Sequence, residues 1–188
     1  MPHVSLAQLW IPILLSAVGV FVASSLVHMV LKWHASDYKA LSNEDEVRAA
    51  IRKESPAPGQ YVLPHCSDHK DMGKPEMLAK YQEGPVAMLV VMPNGAPAMG
   101  SALGKWFAFT VLVAVTAAYL AGRTLGFGTH YLQVFRVVGA VSFVAYGFGS
   151  ITMAIWMGKP WNSVAKDLAD ALIYGLLSAG IFGWLWPR

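Results

Sequence analysis

The sequence predicts an all-α integral membrane protein with four transmembrane helices and a small α+β extramembrane insertion between helices 1 and 2. Two observations predict this fold class. The 188 residues are 55% hydrophobic and only 13% charged, whereas about a quarter of the residues of an average soluble domain are charged. In addition, four apolar segments approach or exceed the roughly 20 residues that a helix needs to cross a bilayer. We therefore divide the chain into residues 4–32, 33–105 and 106–188.

The first predicted span covers residues 4–32. Val4 to Leu31 contain no Asp, Glu, Lys or Arg. The eight residues MPHVSLAQ carry no Lys or Arg, and the apolar stretch is about twice as long as the apolar region of a signal peptide. We therefore expect a retained membrane helix rather than a cleaved signal.

Spans two to four follow in residues 106–188. Span two lies in the 17 uncharged residues between Lys105 and Arg123, and span three covers Val137 to Gly158 with Arg136 at its entrance. Span four runs from Val164 to Trp186 and carries Lys166, Asp167 and Asp170 in its first turns. Trp residues cluster near the ends of the four spans, as an aromatic belt requires; they are Trp10, Trp33, Trp106, Trp156, Trp161, Trp184 and Trp186.

Four crossings put both termini on one side, the terminal side, and residues 33–105 on the other, the loop side. Near the span ends the loop side carries six Lys or Arg residues and the terminal side three. The positive-inside rule then predicts a cytoplasmic loop side, with both termini opposite. The compact chain and its lack of organelle-targeting features favour a bacterial inner membrane.

The insertion contains patterns of regular structure. Ser42 and Asp45 have the spacing of a capping box before a helix over residues 43–54. GQYVLP indicates a short strand, and Pro75 to Gln82 a second helix that stops at Gly84. The apolar run of residues 86–92 indicates a second strand, which needs a covering surface because an exposed apolar strand promotes aggregation.

Polar residues inside the spans are the first candidate site, because burying them in lipid is costly. Asp167, Asp170 and Tyr174 share one face of span four, and His28 lies on span one at a depth similar to that of Asp170. A contact between His28 and Asp170 is therefore feasible. It would serve either as a proton relay or small polar substrate site, or as a structural hydrogen bond between the first and last helices. A further alternative is that the two groups do not pair and only reach interfacial water beside nearby lysines.

Two further groups of residues invite a functional interpretation. His65, Cys66 and His69 offer ligands for zinc or copper(I), but they lack a second ligand pair, so a solvated polar turn is the alternative. Arg123, Arg136 and Arg188 face the terminal side, where the chain has no Asp or Glu. Lipid phosphates and the C-terminal carboxylate, or an acidic patch on a neighbouring subunit, would balance them. Apart from this metal ion, no cofactor is expected.

These patterns favour a non-catalytic polytopic membrane protein, an accessory, assembly or scaffold subunit of a larger complex. No catalytic motif and no phosphate-binding glycine loop is present. The charged residues form no basic run that could follow a nucleic-acid backbone. The expected partners are the bilayer and other membrane subunits. The alternative is a small transporter, or a protein that handles protons or metals through His28, Asp170 and residues 65–69.

Overall fold

The protein is described by a computed structural model covering residues 3–188, in which the chain forms two compact units. The bundle unit contains residues 3–38 and Ala98–Arg188, and the insertion unit contains Lys39–Pro97. The insertion unit is shorter than residues 33–105, which the sequence predicts as the extramembrane insertion. The difference arises because a 3₁₀ segment at Trp33–Asp37 and the first turns of a long helix fold with the bundle unit.

The bundle unit is built from four long helices. Helix α1 spans Trp10–Ser25 and continues as a π-helical segment, Leu26–Leu31. After the insertion come α4 (Met99–Thr124), α5 (Tyr131–Met157) and α6 (Trp161–Trp184). Helix α6 packs against α1 and α5, and α4 packs against the same two helices.

Three of these segments are long and apolar enough to cross a membrane: Leu6–Leu31, Met99–Thr124 and Tyr131–Met157. Helix α6 is not among them, and its first half carries three charged residues, which lower its hydropathy. The second span is longer than its 17 uncharged residues suggest because Lys105 lies inside the helix. Likewise α5 begins at Tyr131, so Arg136 lies in its second turn rather than at the entrance of the span.

One end of the bundle unit, the terminal end, gathers Val4, the last residues of the chain and the link between α4 and α5. The Val4 amide donates to the Gly122 carbonyl at 3.1 Å, and the Gly128 amide donates to the Pro187 carbonyl at 2.9 Å. The Trp186 indole donates to the Gly126 carbonyl, also at 2.9 Å. Trp186 is thus buried in an apolar cluster and does not belong to an exposed aromatic belt.

Glycines allow α5 and α6 to approach closely. A Cβ atom on Gly175 would lie 3.2 Å from the Gly139 carbonyl oxygen, and one on Gly147 would lie 3.0 Å from the Ala171 Cβ. Small residues at such crossings let membrane helices gain van der Waals contact, since lipid offers no hydrophobic driving force between them.

The insertion unit is a small α+β structure, as predicted. It contains α2 (Glu44–Glu54), β1 (Gly59–Leu63), α3 (Pro75–Glu83) and β2 (Ala87–Val91). The strands pair antiparallel with Tyr61 opposite Leu89. The predicted capping box is wrong: Asn43, not Ser42, is the N-cap of α2, and its side chain makes no capping hydrogen bond.

Candidate functional site

A backbone reversal after the first span builds the candidate site, at the end of the bundle unit opposite the terminal end. Lys32 closes the π-helical segment with φ 51°, a left-handed conformation, and its amide donates to the Val27 carbonyl at 3.2 Å. Such a conformation is unfavourable for a residue with a side chain. It turns the 3₁₀ segment Trp33–Asp37 back against the span, so that the His34 and His28 rings lie 4.8 Å apart.

Asp170 on α6 is the centre of the site and is only 5% exposed. Its Oδ2 atom lies 2.9 Å from Nε2 of His34 and 3.7 Å from Nε2 of His28. Its other oxygen, Oδ1, is buried without a hydrogen-bond partner in the described residues. One carboxylate therefore faces two imidazoles and retains a free acceptor.

Asp37 and Lys166 hold His34 in place. Nδ1 of His34 hydrogen-bonds Oδ2 of Asp37 at 2.8 Å, while Oδ1 of Asp37 accepts from the Lys166 ammonium at 2.6 Å. The same ammonium donates to the Trp33 carbonyl and the Ser36 hydroxyl. All three protons of Lys166 are thus used to fasten the 3₁₀ segment to α6.

The ionisable groups around His34 shift one another's pKa values. The hydrogen bond from Lys166 lowers the pKa of Asp37 to about 2, with desolvation acting against it. Desolvation lowers the pKa of His34, but hydrogen bonds to Asp37 and Asp170 outweigh it and leave that pKa above 6.5. Lys166 balances one of the two carboxylates. A cation between the imidazoles and Asp170 would balance the other, and this cation is either a second proton on His34, whose two ring nitrogens face the two carboxylates, or a metal ion.

The remaining residues predicted on α6 do not join this contact. Asp167 accepts hydrogen bonds from Lys159 and Ser150, in a separate network. The Tyr174 hydroxyl is buried and has no hydrogen-bond partner among residues 3–188, and its ring packs edge-on against Tyr146 at 5.4 Å. Of the four residues predicted as an intramembrane polar group, the structure brings His28 and Asp170 together.

His34 is the functional candidate that the sequence analysis missed. It lies beyond the uncharged run of span one, where a loop residue is expected, and only the reversal at Lys32 returns it to the helix end. The one sequence signal is a second His six positions after His28 and close to the same span end.

The predicted metal ligands of the insertion unit do not converge. The Cys66 thiol donates to the Asp68 carbonyl at 3.0 Å, and Nδ1 of His69 lies 3.3 Å from the Met72 sulfur. Within residues 3–188, the one set of three His, Cys, Asp or Glu donors that converges is His28, His34 and Asp170, whose ligand atoms all lie within 4.8 Å of one another.

The sequence predicts three arginines as contacts to lipid or to a partner: Arg123, Arg136 and Arg188. None of them forms a salt bridge within residues 3–188. The guanidinium of Arg123 lies 5.7 Å from the centre of the Tyr119 ring. Arg136 borders an apolar groove of about 270 Å³ between α5 and α6. Arg188 is the last residue and is exposed.

A second groove borders the candidate site at His28. It has a volume of about 510 Å³, is mostly apolar, and is lined by residues of α1, the π-helical segment and α4, among them Ser25, His28, Met99 and Trp106. The His28 side chain is 51% exposed. Asp170 is thus enclosed, while the His28 ring lies partly at the surface of the bundle unit, beside this groove.

Two imidazoles and a carboxylate are able to bind a proton or a metal ion, since both cations use the same lone pairs. No protein-family model, no curated protein and no solved structure significantly matches this chain.

Proposed function

We propose that this chain is a membrane protein of four crossings that transfers a cation through a centre formed by His28, His34 and Asp170. This is the transport or proton- and metal-handling function that the sequence left as the alternative. In that alternative the cation would be bound with the help of residues 65–69, whereas here His34 provides the additional ligand.

The contacts at both ends of α6 support a fourth crossing. Near one end Lys166 bonds the backbone of Trp33, which follows the first span, and beyond the other end Trp186 bonds the link after α4. The 24 residues of α6 extend about 36 Å. Its charged side chains, Lys166, Asp167 and Asp170, all have partners inside the bundle unit, and residues 171–187 carry no charge.

The single observation that carries the proposed function is the state of the Asp170 carboxylate. A structural hydrogen bond between helices needs only His34, yet a second imidazole lies 3.7 Å away and, among residues 3–188, Oδ1 is buried without a hydrogen-bond partner. An unsatisfied buried acceptor costs on the order of 1–3 kcal/mol. A centre that binds a cation explains both features, because the cation would use the lone pairs left free.

Flux measurements in sealed proteoliposomes test this function. We expect the wild-type chain to change the luminal signal of a proton- or zinc-sensitive dye under the matching gradient, and Asp170→Asn to abolish the change. Asp167→Asn is the matched control, because Asp167 lies one turn away in a separate network. Flux equal to that of empty liposomes, or unchanged flux in Asp170→Asn, would contradict the proposal.

We further propose a location in a bacterial inner membrane, with the insertion unit in the cytoplasm and both termini on the opposite side. The excess of Lys and Arg near the span ends on the loop side supports this orientation.

A second function, that of an accessory, assembly or scaffold subunit, is favoured by Arg136. This residue lies in the second turn of a candidate span, is exposed, has no carboxylate partner in the described residues and borders an apolar groove. Native electrophoresis after mild detergent extraction tests it. We expect a larger assembly that Arg136→Gln weakens; a monomer or homo-oligomer in both samples would contradict this function.

A further inference from the structure

We infer that the cation is a divalent transition metal, with zinc as the reference ion, bound by Nε2 of His28, Nε2 of His34 and a carboxylate oxygen of Asp170. The inference rests on the proposed cation function and names the cation. Nothing in the comparisons assigns such a site.

The donor spacing is close to that of a metal site. Bonds of about 2.0–2.2 Å in a tetrahedron separate two ligand atoms by about 3.4 Å. Nε2 of His28 and Oδ2 of Asp170 are 3.7 Å apart, and all three donors lie within 4.8 Å of one another. His34 and Asp170 are closer, at 2.9 Å, because they form a hydrogen bond. If a metal ion replaced this bridging proton, the two atoms would move apart by about a further half ångström.

Asp37 prepares His34 for metal binding. Metal-bound histidines almost always donate their second ring N–H to a carboxylate or carbonyl, which fixes the tautomer and the ring orientation. Nδ1 of His34 already makes this bond to Asp37, which Lys166 anchors in turn. When Nδ1–H donates to Asp37, the lone pair of a neutral His34 is on Nε2, facing Asp170. Asp37 is therefore a positioning residue.

The donor types select the class of ion. Imidazole nitrogens suit zinc, iron, nickel and copper(II), whereas magnesium and calcium prefer oxygen ligands, and copper(I) prefers sulfur, which this set lacks. Three protein ligands leave a fourth position open, as in sites that exchange a bound group rather than purely structural ones. The half-exposed His28 and its adjoining groove are where such a group would enter.

Zinc binding to the full-length protein in detergent tests the inference. After treatment with a chelator, the protein is titrated with zinc against a competing chromophoric chelator, and bound metal is counted by elemental analysis. We expect about one ion per chain. His34→Gln and Asp170→Asn should weaken binding by more than the roughly 10- to 100-fold that loss of an outer partner costs, and Asp37→Asn should fall within that range with the stoichiometry kept.

Controls distinguish this site from others and from misfolding. His69→Gln removes a ligand of the alternative cluster and should leave the affinity unchanged. If His34→Gln or Asp170→Asn fails to fold, His28→Gln replaces them, because its half-exposed ring is the least embedded of the three ligands. Wild-type protein that binds no zinc, or a loss of binding caused by His69→Gln alone, would overturn the inference. Proton flux without zinc binding would overturn the inference of a metal ion but agree with the proposed cation transfer. Zinc binding without any flux would agree with the metal site but contradict the proposed cation transfer.

Discussion

At the level of single residues, the site depends on the left-handed backbone conformation of Lys32, which no sequence pattern predicts. The depths of His28 and Asp170 follow from helical rise, so the sequence could predict their proximity. The part played by His34 depends on the positive φ of Lys32. Glycine and asparagine are the usual residues there, so a lysine gives no signal. The sequence therefore predicts that His34, which lies beyond the span, belongs to a loop.

The same residues allow a direct test of the network around His34. In metal-free protein, we expect Asp37→Asn to lower the His34 pKa, because the charged imidazole loses a hydrogen bond to a carboxylate while desolvation still opposes its charge. NMR titration of the labelled ring in the presence of a chelator measures this change. Asp45→Asn, at an exposed carboxylate of the insertion unit, is the control. A pKa that is equal or higher in Asp37→Asn would contradict the described network.

At the scale of elements, the sequence predicts the insertion unit well. Pro75 and Gly84 mark the ends of α3 because proline suits a first helical turn and glycine suits a stop. Both strands also lie within one residue of their predicted limits. The predicted capping box is wrong because α2 begins one residue later than the box requires, so that Asn43 is the N-cap and its side chain makes no capping hydrogen bond. Hydropathy describes helix α6 less well. The charged side chains of this helix pair with residues of other segments in the folded chain, and a hydropathy scale does not take such pairs into account.

The contact between α5 and α6 provides a prediction at this scale. Gly147→Leu should destabilise the bundle unit by about 1–3 kcal/mol, because its added atoms would meet Ala171 and Leu168 at van der Waals distance or closer. Gly149→Leu, two residues along the same helix, is the matched control, since nothing lies within 4 Å of its Cβ position. Thermal unfolding in detergent compares the two variants. Equal melting temperatures would mean that this packing is wrong.

At the scale of the whole molecule, the bundle unit has two chemically different ends. The terminal end is closed by an apolar cluster that includes Leu9, Phe182 and Trp186. The opposite end carries the ionic network of Asp37, Lys166 and Asp170. Composition predicts a membrane bundle, but it does not reveal which polar residues meet, because that depends on how the helices rotate and pack.

The number of crossings is testable by labelling single cysteines in sealed vesicles with a membrane-impermeant maleimide. Cys66 is the only native cysteine and lies in the insertion unit. The comparison uses the wild-type chain, labelled at Cys66, and the double variant Cys66→Ser, Arg188→Cys, labelled at the introduced cysteine. Four crossings predict that these two cysteines react from opposite sides of the membrane. With three crossings both would react from the same side, which would remove α6 from the membrane.

The X-ray absorption spectrum of the zinc-loaded protein shows whether two histidines and one aspartate hold the metal ion. We predict a first shell of nitrogen and oxygen at about 2.0–2.2 Å, with the scattering of two imidazole rings and no sulfur. A sulfur shell at about 2.3 Å, the distance of a zinc–thiolate bond, would place the ion on Cys66 and contradict binding by His28, His34 and Asp170.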